Sequence, residues 1–270
     1  MNTQKIQNPN SRPDYGIDAP GVRLGMLAAG VAGLIMAVVS GLVGTYTAQF
    51  PSPVIAACLT LGVLVAMYGF FMGGYMTWAS RVGKLQTRQR LLDDAAHMLN
   101  WTGREKVLDV GCGRGLMLVG AALRLTQGVA IGIDLWRAED QANNTPEAAL
   151  DNALLAGVAD RISVDTGDAR DLPYPDESFD LVVSHWVVHN IADSKDRLQV
   201  LDEMLRVLRP GGVMALADIE HVQEYRDHVL KNGAVDVKVL DGGAAAAVMG
   251  VLSGASFRPQ ALLARKEWAM

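Results

Sequence analysis

Cysteine is scarce in this 270-residue chain: Cys58 and Cys112 are the two present, which excludes a disulfide framework and any zinc site built from several thiolates. Aromatic residues make up 6% and charged residues 20%, against 50% hydrophobic. That balance excludes a disordered or collagen-like chain, and the length is ample for one or two domains with a sizeable core. A more telling absence is local: from Leu24 to Ser80 there is no Asp, Glu, Lys, Arg or His. Bases are also outnumbered late in the chain, where residues from Leu91 onward hold 27 acids against 17 bases. So acidic a body repels phosphate backbones, and no nucleic-acid partner is expected.

The uncharged stretch is broken once, at Gln49-Phe50-Pro51-Ser52-Pro53, where two prolines stop a helix. The flanking runs, Leu24–Thr47 and Val54–Trp78, each exceed the roughly 20 residues that cross a bilayer as helix. Tyr46, Phe50, Tyr75 and Trp78 lie near the run ends, where aromatic belts form. Lys5, Arg12 and Arg23 precede the hairpin, and Arg81, Lys84, Arg88 and Arg90 follow it, while the turn carries no base. The positive-inside rule therefore places both termini in the cytoplasm. A signal peptide does not fit, because a second apolar run follows the first at once. Ala29, Gly33, Ala37 and Gly41 on the first run, and Cys58, Gly62 and Ala66 on the second, form small-residue stripes. These are expected to pack the helices on each other or on another copy of the chain as a homo-oligomer. No polar site interrupts either run, which makes the segment an anchor rather than a transporter. The organisation expected is a leader over 1–23, a transmembrane hairpin over 24–80, a basic linker and leading helix over 81–100, and a soluble domain over 101–270.

Beyond Asn100 short Val/Ile/Leu-rich runs alternate with helical patterns. Strands are predicted at Lys106–Val110, Val129–Leu135, Ile162–Thr166, Phe179–Ser184, Val213–Ile219, Val235–Leu240 and Pro259–Arg265. Helices are predicted at Leu85–Asn100, Leu116–Thr126, Pro146–Ala156, Lys195–Leu208 and Val222–Asn232. This is a doubly wound α/β pattern, in which ligands bind beyond the carboxyl ends of the strands.

Val107-Leu108-Asp109-Val110-Gly111-Cys112-Gly113-Arg114-Gly115 runs a strand into a glycine-rich turn and a helix. Glycines there permit positive φ and a close backbone approach to a ligand. The spacing is Gly-x-Gly-x-Gly rather than that of dinucleotide sites, and Asp109 stands where a pyrophosphate would be repelled; a carboxylate suits an ammonium or sulfonium ligand. Asp134 ends the next strand, where a carboxylate can accept both hydroxyls of an adenosine ribose.

Together with Gly167-Asp168-Ala169, Leu172-Pro173, Ser178-Phe179-Asp180 and Arg206-Val207-Leu208-Arg209-Pro210-Gly211-Gly212, these residues follow one family's motif order. From Leu85 onward the chain resembles the class I S-adenosylmethionine-dependent methyltransferases, in the broad group that includes the quinone-ring methylases. The resemblance covers about two-thirds of the chain and implies a Rossmann-like seven-stranded sheet and S-adenosylmethionine as cofactor. It further implies that Asp109 and the backbone of Gly111, Cys112 and Gly113 hold the methionine part. Asp134 would hold the ribose hydroxyls, with Leu135 and Trp136 beside the adenine. Asp168 would accept from the adenine amino group, Ala169 would offer its amide, and Ser184 and His185 would lie near the sulfonium.

His185, His189 and His221 follow strands and can face the cleft, so each is a candidate base; His97 and His228 fall on helices away from that edge. The His185/His189 pair lacks further ligands, and no metal is expected. Family members often insert an acceptor-binding segment after the fifth strand, and here Ile219 leads almost directly into a helix. The uncharged stretch Gly242–Phe257 is expected to replace it at the cofactor rim. Two function classes follow: a membrane-anchored methyltransferase acting on a small acceptor, either a lipophilic quinol- or phenol-like hydroxyl or a thiol, with membrane lipid as a partner; or a non-catalytic cofactor-binding regulatory or assembly protein. The intact glycine turn favours the enzyme.

Overall fold

The computed structural model describes residues 12–17, 19–46, 52–137, 141, 143–243, 246, 250–251 and 258–268. The chain divides into two compact units: Gly16–Lys84, and Leu85 onward together with the chain up to Tyr15.

The first unit is a helical hairpin, α1 (Pro20–Tyr46) and α2 (Pro53–Trp78). Pro53 occupies the first turn of α2 behind an extended Ser52, where its missing N–H costs nothing. Both helices are long and apolar enough to cross a membrane by length and composition. The Gln49–Pro51 part of the predicted turn lies outside the described residues. The helices approach through small residues. A Cβ on Gly33 would stand 2.5 Å from the Ala66 nitrogen, one on Gly62 2.6 Å from the Ala37 nitrogen, and one on Gly69 2.5 Å from the Gly30 nitrogen. The buried seam is Gly30, Gly33 and Ala37 against Gly62, Ala66, Gly69 and Gly73. This corrects the predicted stripes at three places: Ala29 is exposed, Cys58 is only half-buried, and Gly41 has nothing near it. A strict four-residue step drifts around a helix of 3.6 residues per turn, whereas alternating steps of three and four stay on one seam. At the polar end, Lys84 Nζ donates to Gly16 O at 2.7 Å.

After α2 the chain takes a π-helical turn, Ala79–Gly83, and continues as α3 (Lys84–Leu99). The basic run Arg81–Arg90 is therefore helical throughout. At the other boundary, Tyr15 is 8% exposed within the core of the second unit.

The α/β unit contains β1 (Lys106–Val110), α4 (Leu116–Ala122), β2 (Val129–Asp134), α5 (Pro146–Leu155), β3 (Ile162–Thr166), β4 (Phe179–His185), α6 (Ser194–Val207), β5 (Leu208–Asp218), α7 (Val222–Lys231), β6 (Ala234–Asp241) and β7 (Gln260–Lys266). They form a seven-stranded sheet in the order β3-β2-β1-β4-β5-β7-β6, parallel except for β7, which runs antiparallel to both neighbours. α4 stops four residues before its predicted end because the Gly103 carbonyl accepts the amides of Thr126, Gln127 and Gly128 at 2.8–3.0 Å. β5 starts five residues earlier than predicted: Leu208 pairs with Phe179, and the register then shifts before Leu181 meets Val213, across Pro210-Gly211-Gly212.

Successive strand residues feed opposite faces. Val107, Leu181, Val183, Val213 and Ala215 join one buried cluster, and Leu108, Val182, Met214 and Leu216 join the other. Helices cover both clusters, which is why these strands read as continuous apolar runs. Each fully buried Val or Leu contributes about 1.5–3 kcal/mol of transfer free energy. The rigid sheet so made presents the ends of β1, β2, β4 and β5 along one edge.

Candidate active site

The glycine turn leaves β1 with Gly111, Gly113 and Gly115 all at positive φ, +71°, +51° and +81°. Gly111 is the most constrained, since a Cβ there would stand 2.4 Å from the Val187 side chain. The turn is pinned from β2: the Gly111 and Cys112 amides donate to Ile133 O at 2.8 and 3.1 Å, and Gly113 N donates to Asp134 Oδ2 at 2.8 Å. The other oxygen of Asp134 accepts from Trp136 N at 2.7 Å and from Asn144 Nδ2 at 3.1 Å. Leu135 is exposed, and Trp136 Nε1 donates to Thr166 Oγ1 at 2.9 Å.

Asp109 lies beneath this turn, 1% exposed, with Oδ2 accepting the Leu118 amide at 2.8 Å. Burial pushes its carboxyl up to about 8, the Asp134 charge adds to the rise, and the Leu118 bond opposes it. Burial, with both carboxylates beside it, also pushes the Cys112 thiol well up, so Cys112 serves the turn through its backbone rather than as a thiolate.

Asp165, near the end of β3, and Asp168, in the turn after it, have different partners. Asp165 Oδ2 accepts the Tyr174 hydroxyl at 2.8 Å. Asp168 is gripped by Arg170, whose Nε and Nη2 reach its two oxygens at 3.0 and 2.6 Å and hold the carboxyl below its ordinary range. Arg170 also pairs with Asp196 at 2.5 Å. Ala169, next to Asp168, packs at the edge of the second core cluster. Asp180 and Arg206, both in the family-like motifs, have bracing roles. Asp180 accepts the Lys106 amide at 2.6 Å, and Arg206 donates to the carbonyls of Leu172 and Tyr174.

Ser184, 1% exposed, donates to Val110 O at 2.9 Å and so ties the end of β4 to that of β1. His185 stacks on Trp186, with ring centroids 4.9 Å apart. The short helical turn Val188–Asn190 then presents His189 to β5: its amide donates to Asp218 Oδ2 at 3.0 Å, and its Nδ1 meets Asp218 Oδ1. Asp218 is fully buried, and its Oδ1 also accepts the Ile219 amide at 2.9 Å. The loop is braced from behind by Arg197, which donates to the carbonyls of Ile191 and Ala192 and pairs with Glu224 at 3.2 Å. His221 instead faces Glu220 and Glu224 at 3.6 and 3.8 Å, at the start of α7.

The structure thus brings Asp109, the Gly111–Gly113 backbone, Asp134, Ser184, His185 and His189 to one edge. Among the candidate histidines, His189 is held by the buried carboxylate of Asp218. Sequence reasoning missed Asp218, Asn144, Gln141 and Arg170. Asp218 had a signal, as an acid ending an apolar strand; the others sit in polar loops. Of the eight non-glycine residues with positive φ among those described, three lie just past strand ends at this edge: Trp136, Trp186 and His221, with φ of +58°, +59° and +62°. Of Gly242–Phe257, positions 244–245, 247–249 and 252–257 lie outside the described residues; Gly242 N donates to Pro259 O at 3.1 Å across the base of that connection.

Residues 108–216 match the family model described as a methyltransferase domain. The chain is 38% identical over 147 residues to methyltransferase GfsG of Streptomyces halstedii, covering 54% of this chain and 49% of that one. It is 39% identical over 132 residues to the 27-O-demethylrifamycin SV methyltransferase of Amycolatopsis mediterranei, covering 48% and 44%. It therefore spans about half the length of the curated relatives it matches. The crystal structure of the [4+2]-cyclase SpnF superposes with a TM-score of 0.52 at 21% identity, covering 67% of this chain and 82% of that one, a likeness of fold.

Sheet order and glycine turn define the seven-stranded, Rossmann-like methyltransferase class. Within the α/β unit, residues 108–216 match a methyltransferase domain of the kind that uses S-adenosylmethionine as cofactor. The residues present fit that cofactor: a turn with glycine at three of its five positions lies against the carboxyl groups of Asp109 and Asp134, which suits a cationic ligand.

Proposed function

We propose that the protein is a membrane-anchored S-adenosylmethionine-dependent methyltransferase acting on a hydroxyl of a small lipophilic, quinol- or phenol-like acceptor. Bound cofactor supplies a methyl group already activated on a sulfonium. The chain's task is then to position the acceptor, exclude water and remove one proton. His189 is suited to that last step. Asp218 holds its Nδ1, which leaves Nε2 to take the proton from the acceptor hydroxyl as its oxygen gains the methyl. The buried carboxylate then faces the imidazolium that results. This His189–Asp218 pairing carries the proposal, because a thiolate acceptor needs no base and a non-catalytic protein needs no oriented one.

Under this reading Asp134 receives the ribose hydroxyls, with Leu135 and Trp136 beside the adenine. Asp168 and Ala169 meet the adenine amino edge, where Arg170 shares the carboxylate. The Gly111–Gly113 backbone holds the methionine part with Asp109 charged beneath it, and Ser184 and His185 stand near the sulfonium. His221, held between two glutamates, orients the acceptor. The hairpin supports anchoring with both termini cytoplasmic, which concentrates an acceptor that partitions into lipid. The test is transfer of radiolabelled methyl by the full-length protein to membrane lipid extract and to a panel of thiols. Label is expected in a lipid-extractable hydroxyl compound, and His189→Gln should abolish it. Labelling confined to thiols, undiminished by His189→Gln, would overturn the proposal.

A further inference from the structure

Asp14 and Tyr15 precede the hairpin in sequence, yet they dock on the shell of the glycine turn. The Tyr15 ring is buried in the same cluster as Leu92, Cys112 and Leu118, with the Arg88 guanidinium 5.7 Å from its centroid. Asp14 and the buried side chain of Asn152 exchange two hydrogen bonds, Asp14 N to Oδ1 at 2.8 Å and Nδ2 to Asp14 O at 2.9 Å. The same Nδ2 donates to Arg114 O at 2.9 Å. Arg114 Nε donates to Asp14 O at 2.9 Å, and its Nη2 pairs with the Asp14 carboxylate at 3.2 Å. Gln141 closes the clamp: Nε2 donates to Tyr15 O at 3.1 Å while Oε1 accepts the Arg114 amide at 3.1 Å. A Cβ on Gly113 would stand 2.8 Å from that same Oε1. Arg114 lies between Gly113 and Gly115, so the strap meets the turn directly at the Arg114 side chain and, through Asn152 and Gln141, at the Arg114 carbonyl and amide.

We infer that Asp14 and Tyr15 are positioning residues of the cofactor site. By holding Arg114 and Gln141 they keep the Gly111–Gly115 turn in the shape in which Gly113 N meets Asp134. The inference rests on the reading of that turn as the cofactor cradle. It has a consequence for the chain's organisation: the Gly16–Lys84 hairpin is inserted between two parts of one site rather than appended before it. Truncation at Arg81 therefore removes part of the site together with the anchor.

The test uses the full-length protein in detergent micelles, with S-adenosylhomocysteine as ligand. Tyr15→Ala is expected to weaken calorimetric affinity tenfold or more and Tyr15→Phe to stay within twofold of wild type, because the ring and not the hydroxyl fills the core. By reciprocity of linked equilibria, ligand should slow hydrogen exchange of the Asp14–Gly16 amides in the wild-type protein by a similar factor. This second measurement needs no variant and decides the matter if Tyr15→Ala does not fold. A Tyr15→Ala protein with unchanged affinity, or strap amides indifferent to ligand, would overturn the inference. Asp134→Ala separates the two readings. If it abolishes binding while the strap experiments show nothing, the cradle stands and the strap is only structural; if it too leaves affinity intact, the cradle reading has failed.

Discussion

The imidazole Nδ1 of His189 rests against the Oδ1 of Asp218, 29 residues away in sequence, and the same carboxylate holds the His189 backbone amide through its other oxygen. One buried acid thus fixes both the ring and the loop that carries it. Asp218→Asn should keep the loop in place but present the wrong hydrogen-bonding group to the ring. Single-turnover methylation of a hydroxyl acceptor is expected to fall at least tenfold, and His189→Gln to fall about 10²–10⁴-fold, the usual worth of a positioned base. Equal rates in wild type and His189→Gln would show that the dyad is structural.

Asp134 collects the amides of Gly113 and Trp136 and the Asn144 side chain. Loss of a hydrogen-bonded charge to the ribose costs about 1.5–3 kcal/mol, so Asp134→Ala should weaken cofactor binding about 10–150-fold by calorimetry. Unchanged affinity would refute the ribose assignment, and preference for NAD over S-adenosylmethionine would refute the cofactor fit.

Asp109 ties stability to pH. Its carboxyl titrates near 3.8 when unfolded and is pushed up to about 8 by burial in the fold. The folded chain therefore holds a proton that the unfolded chain has lost, so this contribution to stability is complete below about 4 and is lost as pH rises toward 8. Asp109→Asn should flatten that decline and raise the thermal midpoint above wild type at pH 9. A variant whose midpoint falls in parallel with the wild type would show that Asp109 is not the group responsible. A cationic ligand favours the ionised form, so cofactor binding near pH 7 should release a proton, visible as a buffer-dependent binding enthalpy.

The hairpin seam allows a steric test. Gly69→Val places methyl groups where even a Cβ would stand 2.5 Å from the Gly30 nitrogen, whereas Gly41→Val meets nothing within 4 Å. A disulfide engineered across the seam should form in wild type and Gly41→Val backgrounds and fail in Gly69→Val. In the same membranes, a reporter fused at the C-terminus should respond as cytoplasmic; an external response would contradict the charge asymmetry around the hairpin.

Much of this was legible in the sequence because it is written locally. The apolar strand runs, the glycine turn and Asp134 at its strand end are short-range patterns, and apart from the early start of β5 each falls within a residue or two of its predicted place. The failures are long-range. Nothing near Tyr15 announces that its ring fills a core more than seventy residues further along the chain, and Asn152 meets Asp14 across 138 positions. Asp168 was assigned by its place in the motif, and that place does not reveal that Arg170, two residues on, grips its carboxylate. The small-residue stripes were half right, since composition reveals that helices approach closely but their phase decides which glycines meet. Among the three histidines, choice required Asp218, a partner visible only once β4 and β5 lie side by side.

Trp136, Trp186 and His221 hold left-handed backbone at the edge of the sheet, each at a cost of about 1–2 kcal/mol for a residue bearing a Cβ. Glycine or asparagine would relax each position. Selection for heat resistance alone would therefore find easy gains here, and would be expected to collect them as lost turnover. A library restricted to these three positions would measure how much stability each left-handed residue costs and whether relaxing it lowers turnover.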